Sequence, residues 1–317
     1  MIKMKKFFLM IAAAVLSAGI MSAQDLNAAL ELANQGNDAF SAGSPELALE
    51  AFRSSLKIAE GLGEEGAAHV ETCKTALCNI YLALAKNIYK EKNWDGAVEA
   101  FAKAKEVATQ FGNAEVVAEA EELTKSAAAN KLAGLAAEAK KVKDFPAAIG
   151  YYKQMVEMDP TNGGYALQLG QTYMSVKDWA AAEQNLLFAK ENGQEKNAVK
   201  LLARLNLSRC QEALKLKKYQ DALDFAKKSN EFDESANAYK LGASAARALN
   251  NLPVCEEMYL KYLEVSPNAK DASDIKLTLA ASYQKAGNKA KAKEYYQMIV
   301  NDPKNGAIAK QQLPTLN

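Results

Sequence analysis

Apolar residues recur at intervals of three and four along almost the whole chain after its first 23 residues, a spacing that places them on one face of an α-helix. Ala, Leu, Glu, Lys and Gln dominate this region, and β-branched and aromatic residues do not alternate with polar ones over any run. The pattern therefore predicts a chain that is built of amphipathic helices and has no β-strands.

The helical pattern repeats itself, and its sharpest copy spans residues 163–196. The residues that mark its first helix, its turn and its second helix are, in order, Ala166, Leu169, Gly170 and Tyr173; Asp178 and Trp179; Ala182, Leu186 and Ala189. A matching copy lies 34 residues earlier and closes at Pro160. Self-similarity at such a period indicates a repeat architecture.

A small residue followed four residues later by a larger, mostly aromatic one marks the second helix of every copy. The clear pairs are Ala48/Phe52, Ala97/Phe101, Ala148/Tyr152 and Ala292/Tyr296, and the weaker ones are Ala182/Leu186, Ala222/Ala226 and Cys255/Tyr259. Their leading residues are separated by 49, 51, 34, 40, 33 and 37 residues. Seven copies in order make a strong signal, and the first two intervals are unusually wide.

This order of residues resembles the tetratricopeptide repeat (TPR) family over roughly residues 29–306. The resemblance implies an all-α protein, an α-solenoid of about seven antiparallel helix-turn-helix repeats that form a right-handed superhelix. Proline closes only the copies that end at Pro160, Pro267 and, one residue out of step, Pro303. In the sixth copy either Gly242 or Ala243 fills the small position of the first helix.

The predicted organisation has four parts. They are a signal peptide (1–23), N-terminal repeats with longer helices and wide loops (24–128), a regular array (129–306), and a polar C-terminal cap (307–317) that ends near Pro314. Small residues are expected where the two helices of a repeat cross, namely Ala85, Ala136, Gly170 and Ala280 on first helices. Because one hairpin cannot bury its apolar face alone, the repeats are expected to be stable only as a stack.

The first 23 residues indicate export. Lys3, Lys5 and Lys6 precede an apolar run of about 15 residues, and the small residues Ser22 and Ala23 precede Gln24, a pattern similar to signal peptides of Bacteroidota-type bacteria. No cysteine follows that would carry a lipid anchor, and no later stretch approaches membrane-spanning length. We therefore expect an exported chain, periplasmic or secreted, without membrane insertion after cleavage.

The net charge bears on the kind of partner, and the cysteines bear on disulfide formation. The formal net charge is +1, and removal of the leader, which holds three lysines and no acids, changes it to −2, so the average charge predicts neither nucleic acid nor anionic lipid as a partner. The Lys-rich stretch at 285–296 is interpreted as a solvated helix face. The four cysteines, Cys73, Cys78, Cys210 and Cys255, are expected to be free and buried.

No catalytic, metal or cofactor motif stands out. His69 is the only histidine; it lies one helical turn from Cys73 and is expected to be a surface or half-buried residue. Residues 61–66, GLGEEG, spell G-x-G-x-x-G, but a helix rather than a strand precedes them and Glu64 and Glu65 would oppose a pyrophosphate. These glycines are expected to end a helix. We expect no enzymatic activity and no cofactor.

The family resemblance implies that the first helices line a concave groove in which a peptide lies. The polar groove candidates carried over copy by copy are Asn37, Lys86, Lys140, Gln171, Arg204, Gln211, Lys240 and Arg247. One branch of the family binds heat-shock chaperone C-termini with a Lys…Asn pair, but Ala33 replaces the Lys one turn before Asn37. The predicted function is a non-enzymatic scaffold or adaptor of the cell envelope that binds protein or peptide partners. The alternatives are a structural subunit held through repeat edges and, thirdly, an enzyme with an unrecognised site.

Overall fold

The computed structural model describes residues 23–316, and all regular secondary structure in that range is helical. The α-helices are α1 (Ala23–Ser41), α2 (Pro45–Gly61), α3 (Ala67–Lys90), α4 (Trp94–Gln110), α5 (Ala114–Lys141), α6 (Phe145–Met158), α7 (Gly163–Ser175), α8 (Trp179–Ala189), α9 (Glu195–Lys215), α10 (Tyr219–Phe232), α11 (Ala236–Ala248), α12 (Leu252–Val265), α13 (Ala272–Lys285), α14 (Lys289–Met298) and α15 (Gly306–Gln312). Short 3-10 turns lie at Gly63–Gly66 and Leu313–Leu316, and a kinked π turn lies at Lys190–Gln194. The predicted signal peptide lies outside the described residues except for Ala23.

The helices alternate as first and second helices of seven pairs, α1/α2 to α13/α14, as the repeat pattern predicts. Each small-plus-large pair of the second helices is buried: the leading residue is fully buried in all seven, and the following one is at most 6 % exposed. The described chain divides into two compact units, up to Gly134 and from Leu135 onward, and the boundary falls inside α5. Within each unit, consecutive helices pack against each other around alanine-rich cores.

The wide spacing of the N-terminal copies comes from helix length and not from wide loops, which corrects that part of the prediction. Helices α3 and α5 contain 24 and 28 residues, whereas α7 and α11 contain 13. The α4–α5 link consists only of Phe111, Gly112 and Asn113, and the Asn113 side chain accepts from the Val116 amide (3.1 Å).

Small residues allow the two helices of a repeat to approach closely, as expected. A Cβ added at Gly170 would lie 2.9 Å from Leu186 on the paired second helix, and one at Gly36 would lie 2.8 Å from Phe52. Ala85, Ala136 and Ala280 at the equivalent positions are fully buried. A larger side chain at such a crossing would destabilise the fold by about 1–3 kcal/mol.

Both candidates for the small position of the sixth repeat are packed tightly. Ala243 is fully buried and precedes Cys255 by the same twelve residues that separate Gly170 from Ala182. A Cβ at the neighbouring Gly242 would lie 2.5 Å from the Met258 sulfur. The spacing therefore selects Ala243, and Gly242 adds a second close approach.

Every turn from a first to a second helix contains one residue with positive φ. These residues are Gly43, Lys92, Lys143, Lys177, Lys217, Asn250 and Gly287, with φ between 58° and 78°. The following amide often donates to a carbonyl five residues back, as Asp178 does to Tyr173 (3.1 Å), which closes the first helix in the manner of a Schellman motif. A side chain in this region costs about 1–2 kcal/mol that glycine avoids, and five of the seven turns carry one.

Two half-buried glutamates join neighbouring repeats. Glu183 of α8 accepts from Arg209 of α9 (3.1 Å) and pairs with Lys228 of α10. Glu256 of α12 has the equivalent position, directly after the small residue of its helix. It accepts from the hydroxyls of Tyr283 and Tyr295 (both 2.6 Å) and from Lys291, contributed by α13 and α14.

The C-terminal segment covers the end of the array. Ala309 of α15 and Leu316 are buried in the same core as Tyr295 and Ile299 of the seventh repeat. Pro314, near which the polar cap was expected to end, lies inside the 3-10 turn at Leu313–Leu316.

Candidate binding surface on the first helices

The structure places all eight groove candidates on first helices. They lie on α1 (Asn37), α3 (Lys86), α5 (Lys140), α7 (Gln171), α9 (Arg204 and Gln211) and α11 (Lys240 and Arg247). All are exposed or half-buried. That they share one ligand-binding face remains a prediction.

An open cavity of about 330 Å³ lies between the first helices of the sixth and seventh repeats. Arg247 of α11 forms one side, and Leu277, Thr278, Ala281, Ser282 and Lys285 of α13 form the other. Arg247, one of the eight candidates, therefore lines this cavity.

The cavity joins two cationic side chains with hydroxyl and apolar groups. Within residues 23–316, neither Arg247 nor Lys285 makes an ion pair with a carboxylate. Thr278 and Ser282 donate their hydroxyl protons to their own helix, to the carbonyls of Asp274 (2.8 Å) and Thr278 (2.7 Å), so both oxygens can still accept a hydrogen bond. The arrangement favours a ligand that presents a carboxylate next to an N–H donor.

The register of the repeat relates this cavity to the other candidates. Ala281 lines the cavity and directly follows Ala280, the small residue at the helix crossing. Asn37, Lys86, Gln171 and Gln211 likewise directly follow the small buried residues of their own helices, which are Gly36, Ala85, Gly170 and Cys210. Within the C-terminal unit, equivalent positions on stacked repeats are expected to face equivalent directions, so Gln171 and Gln211 are predicted to lie on the same side as Ala281.

Three of the candidates already have partners within the chain. Lys86 pairs with Glu119 of α5 (2.5 Å), and the Lys140 ammonium lies 5.7 Å from the centre of the Tyr152 ring. Lys240 donates to Asp271 at the start of α13 (2.5 Å), and this bond raises the pKa of the Lys240 ammonium and lowers the pKa of the Asp271 carboxyl. These lysines are less available to a ligand than Arg247.

Lys285 was not among the candidates, since its Lys-rich stretch is interpreted as a solvated helix face. The structure places Lys285 at the cavity and pairs Lys291 of the same stretch with Glu256. One signal for Lys285 was available, because it lies five residues after the small Ala280, close to the position that Arg247 has relative to Ala243.

His69 is buried, which corrects the expectation of a surface or half-buried residue. Its Nε2 lies 2.8 Å from the Ser55 hydroxyl and 3.5 Å from the Cys73 sulfur, and Ser55 donates to the Ala29 carbonyl (2.6 Å). Because the serine proton is directed to that carbonyl, the imidazole acts as donor to Ser55 rather than as its base. The cluster joins α1, α2 and α3 and has the geometry of a structural contact.

All four cysteines are free and buried, as expected. Burial raises the pKa of each thiol, to about 11 for Cys210 and Cys255, which disfavours the reactive thiolate. Within residues 23–316 no group of three or more His, Cys, Asp or Glu side chains is arranged to hold a metal ion.

The glycines of GLGEEG end a helix, as predicted. Helix α2 ends at Gly61, Gly63 has a φ of +60°, and the 3-10 turn leads directly into α3. A Cβ at Gly66 would lie 2.0 Å from the Ala59 carbonyl oxygen, so this glycine is needed for a close approach of the backbone. None of the helices between residues 23 and 316 has both the length and the apolar character that crossing a bilayer requires.

No protein-family model matches the chain, and no curated protein matches it in sequence. Among solved structures, the C-terminal part of a TPR repeat-containing protein from Cytophaga hutchinsonii is 18% identical; the match covers 73% of this chain and 99% of that one with a TM-score of 0.38. YrrB, described as a TPR protein with an unusual peptide-binding site, is 17% identical over 56% of this chain and 87% of its own, with a TM-score of 0.35. A tetratricopeptide repeat protein from Parabacteroides merdae is 12% identical over 92% of this chain and 99% of its own, with a TM-score of 0.27.

These similar structures are TPR proteins, and the helix pairs of this chain have the residue pattern that the family resemblance implies.

Proposed function

We propose that the chain is a non-enzymatic scaffold of the cell envelope that binds partner proteins through peptides lying along its first helices. The observation that carries this proposal is the cavity between α11 and α13, where Arg247 and Lys285 make no ion pair with a carboxylate of residues 23–316. Two cations beside free hydroxyl oxygens and the apolar Leu277 suit a peptide with an acidic group next to its backbone N–H.

The expected export of the chain supports the envelope location. A periplasmic or secreted scaffold would meet its partners outside the cytoplasm, which agrees with the missing chaperone clamp at Ala33. The half-buried Gln171 and the exposed Arg204 and Gln211 would supply further hydrogen bonds to an extended peptide, each contributing about 0.5–1.5 kcal/mol.

A peptide library tests the proposal directly. Each sequence is displayed in two forms, one with Asp or Glu and one with Asn or Gln at the same positions. We expect the wild-type protein to enrich the acidic forms, and Arg247→Glu/Lys285→Glu to lose that enrichment. Lys276→Glu, on the same helix α13 but outside the cavity lining, is the matched control and should behave as the wild type.

Equal recovery of acidic and amide forms would show that the cavity does not select carboxylates. An unchanged peptide set with Arg247→Glu/Lys285→Glu would place binding elsewhere on the molecule. Either result would remove the basis of the proposal.

A further inference from the structure

Charged residues of the C-terminal unit are segregated between its two edges. We define the basic edge as the five turns from first to second helices, at 139–147, 173–181, 213–221, 246–254 and 283–291. The acidic edge consists of the five turns that follow second helices, at 155–163, 189–197, 229–237, 263–274 and 299–307. The basic edge holds 11 Lys or Arg and 3 Asp or Glu, whereas the acidic edge holds 4 and 11.

Turns of the same kind lie side by side. On the basic edge, Lys177 Nζ and Trp179 Nε1 in one turn both contact Glu212 of the next first helix, at 3.0 Å each. On the acidic edge, Lys304 Nζ lies 2.5 Å from the Asp274 carboxylate of the preceding turn. These contacts connect the second turn of the basic edge to the next first helix and the last two turns of the acidic edge to each other.

Helix ends do not account for this segregation. Each edge carries the C-terminus of one helix and the N-terminus of the next in every turn, so the helix dipoles favour neither sign on either edge. The two edges are also electrically independent. They are separated by the length of the helices, about 20 Å for the 13 residues of α7, and salt screens charges beyond about 8 Å.

The basic edge also presents an exposed apolar side chain in each of its first four turns. Val142, Val176, Leu216 and Leu249 are 72%, 41%, 63% and 37% exposed, and each directly precedes the residue with positive φ. Lysine follows three of them in a conformation that favours glycine. Each of these four turns therefore combines an exposed apolar side chain with a non-glycine residue at positive φ, and both features are unfavourable in an isolated turn. Their repetition points to a contact surface at this edge.

We propose that this edge binds the acidic edge of a second copy of the chain. The complementary charges are present on the same unit in nearly equal number, so one copy can bind the next in the same orientation. Such a heterologous contact leaves an unpaired edge on each terminal copy and continues into an open assembly unless it closes into a ring. Arg247 and Lys285 belong to turns of the basic edge and also line the cavity proposed for peptides, so an acidic peptide should compete with this contact at the last two repeats, although the contact does not depend on peptide binding.

Sedimentation of the protein purified from cells that express the whole chain tests the contact. In about 20 mM salt the weight-average mass should rise with protein concentration, and in ~1 M salt, where the screening length is about 3 Å, it should return to that of one chain. A single-chain mass at every concentration in low salt would overturn the proposal.

Charge-reversal variants test the contribution of each edge by itself. The basic-edge variant is Lys143→Glu/Lys217→Glu/Lys218→Glu, and the acidic-edge variant is Glu157→Lys/Glu231→Lys/Asp233→Lys. These six exposed side chains make no hydrogen bond or ion pair in the structure, so the variants should fold, which circular dichroism verifies. The matched control Lys153→Glu/Lys200→Glu/Lys227→Glu makes the same charge change away from the basic edge.

We expect each edge variant alone to remain a single chain and the control to assemble as the wild type does. An equimolar mixture of the two edge variants should form pairs of chains, because the basic-edge variant keeps its acidic edge unchanged and the acidic-edge variant keeps its basic edge unchanged. Failure of the mixture to assemble would contradict the edge-to-edge contact. Binding of phosphatidylglycerol vesicles by a wild-type protein that never self-associates would assign the basic edge to a lipid surface instead.

Discussion

Replacement of Glu256 by glutamine should weaken the last repeats specifically. The Glu256 side chain is 14% exposed and accepts from Tyr283, Tyr295 and Lys291, so one carboxylate joins α12 to both helices of the next repeat. A hydrogen bond to a charged group contributes about 1.5–3 kcal/mol. Glutamine keeps one acceptor oxygen and turns an NH₂ group toward a donor.

We expect Glu256→Gln to lower the free energy of unfolding by about 2–3 kcal/mol. The bond to Lys291 adds little to this value, because the lysine side chain is 42% exposed and solvent screens its charge. Glu257→Gln changes the neighbouring exposed carboxylate and should stay within about 0.5 kcal/mol of the wild type. Hydrogen exchange read by mass spectrometry provides the assay, together with urea unfolding.

Because stacked repeats stabilise only their neighbours, exchange should accelerate in α13 and α14 and remain unchanged in α1 to α4. Unaltered exchange in α13 and α14, together with wild-type stability, would mean that the bonds of Glu256 do not hold the seventh repeat in place. Uniform acceleration along the whole chain would also contradict the prediction, since the repeats would then unfold as one unit.

Burial alone would raise the pKa of Glu256, but its bonds to Lys291, Tyr283 and Tyr295 outweigh this effect and lower the pKa. The resulting stabilisation is present above about pH 4.3, the pKa of glutamate in the unfolded chain, and is lost as the pH falls through the folded pKa. The urea midpoint should therefore decline more on acidification in the wild type than in Glu256→Gln. Lys217→Gly should raise the unfolding free energy by about 0.5–1 kcal/mol by relieving the positive φ, whereas Lys217→Ala, which keeps it, should not. Gly170→Ala should destabilise by about 1–3 kcal/mol, whereas Gly150→Ala, where a Cβ meets nothing within 4 Å, should stabilise by about 0.5–1 kcal/mol; thermal melts distinguish the two.

The repeat architecture could be predicted from the sequence because its signals are local. A small residue and its larger partner four positions later lie on one helix, and the first helix crosses at a fixed distance along the chain, as Gly170 and Ala182 illustrate. The sequence pattern therefore identified all seven second helices. It also predicted the helix end at GLGEEG, where flanking helices exclude a nucleotide loop.

Features that depend on several helices were not predictable in the same way. The burial of His69 requires Ser55 from α2 and the Ala29 carbonyl from α1, and neither is close in sequence. The role of Lys285 depends on a cavity that α11 completes. The charges of the two edges nearly cancel in the net charge of the chain. Their opposite signs become visible only when the turns after first helices and the turns after second helices are counted separately.

Site-specific photo-crosslinking would show whether peptides lie along the first helices. A photoreactive residue replaces Gln211 or Ala281 on first helices, or Lys153 or Lys227 on second helices, and an acidic peptide selected on the wild-type protein is added. We expect crosslinks from Gln211 and Ala281 and none from Lys153 or Lys227. Crosslinks from Lys153 and Lys227 alone would contradict this expectation.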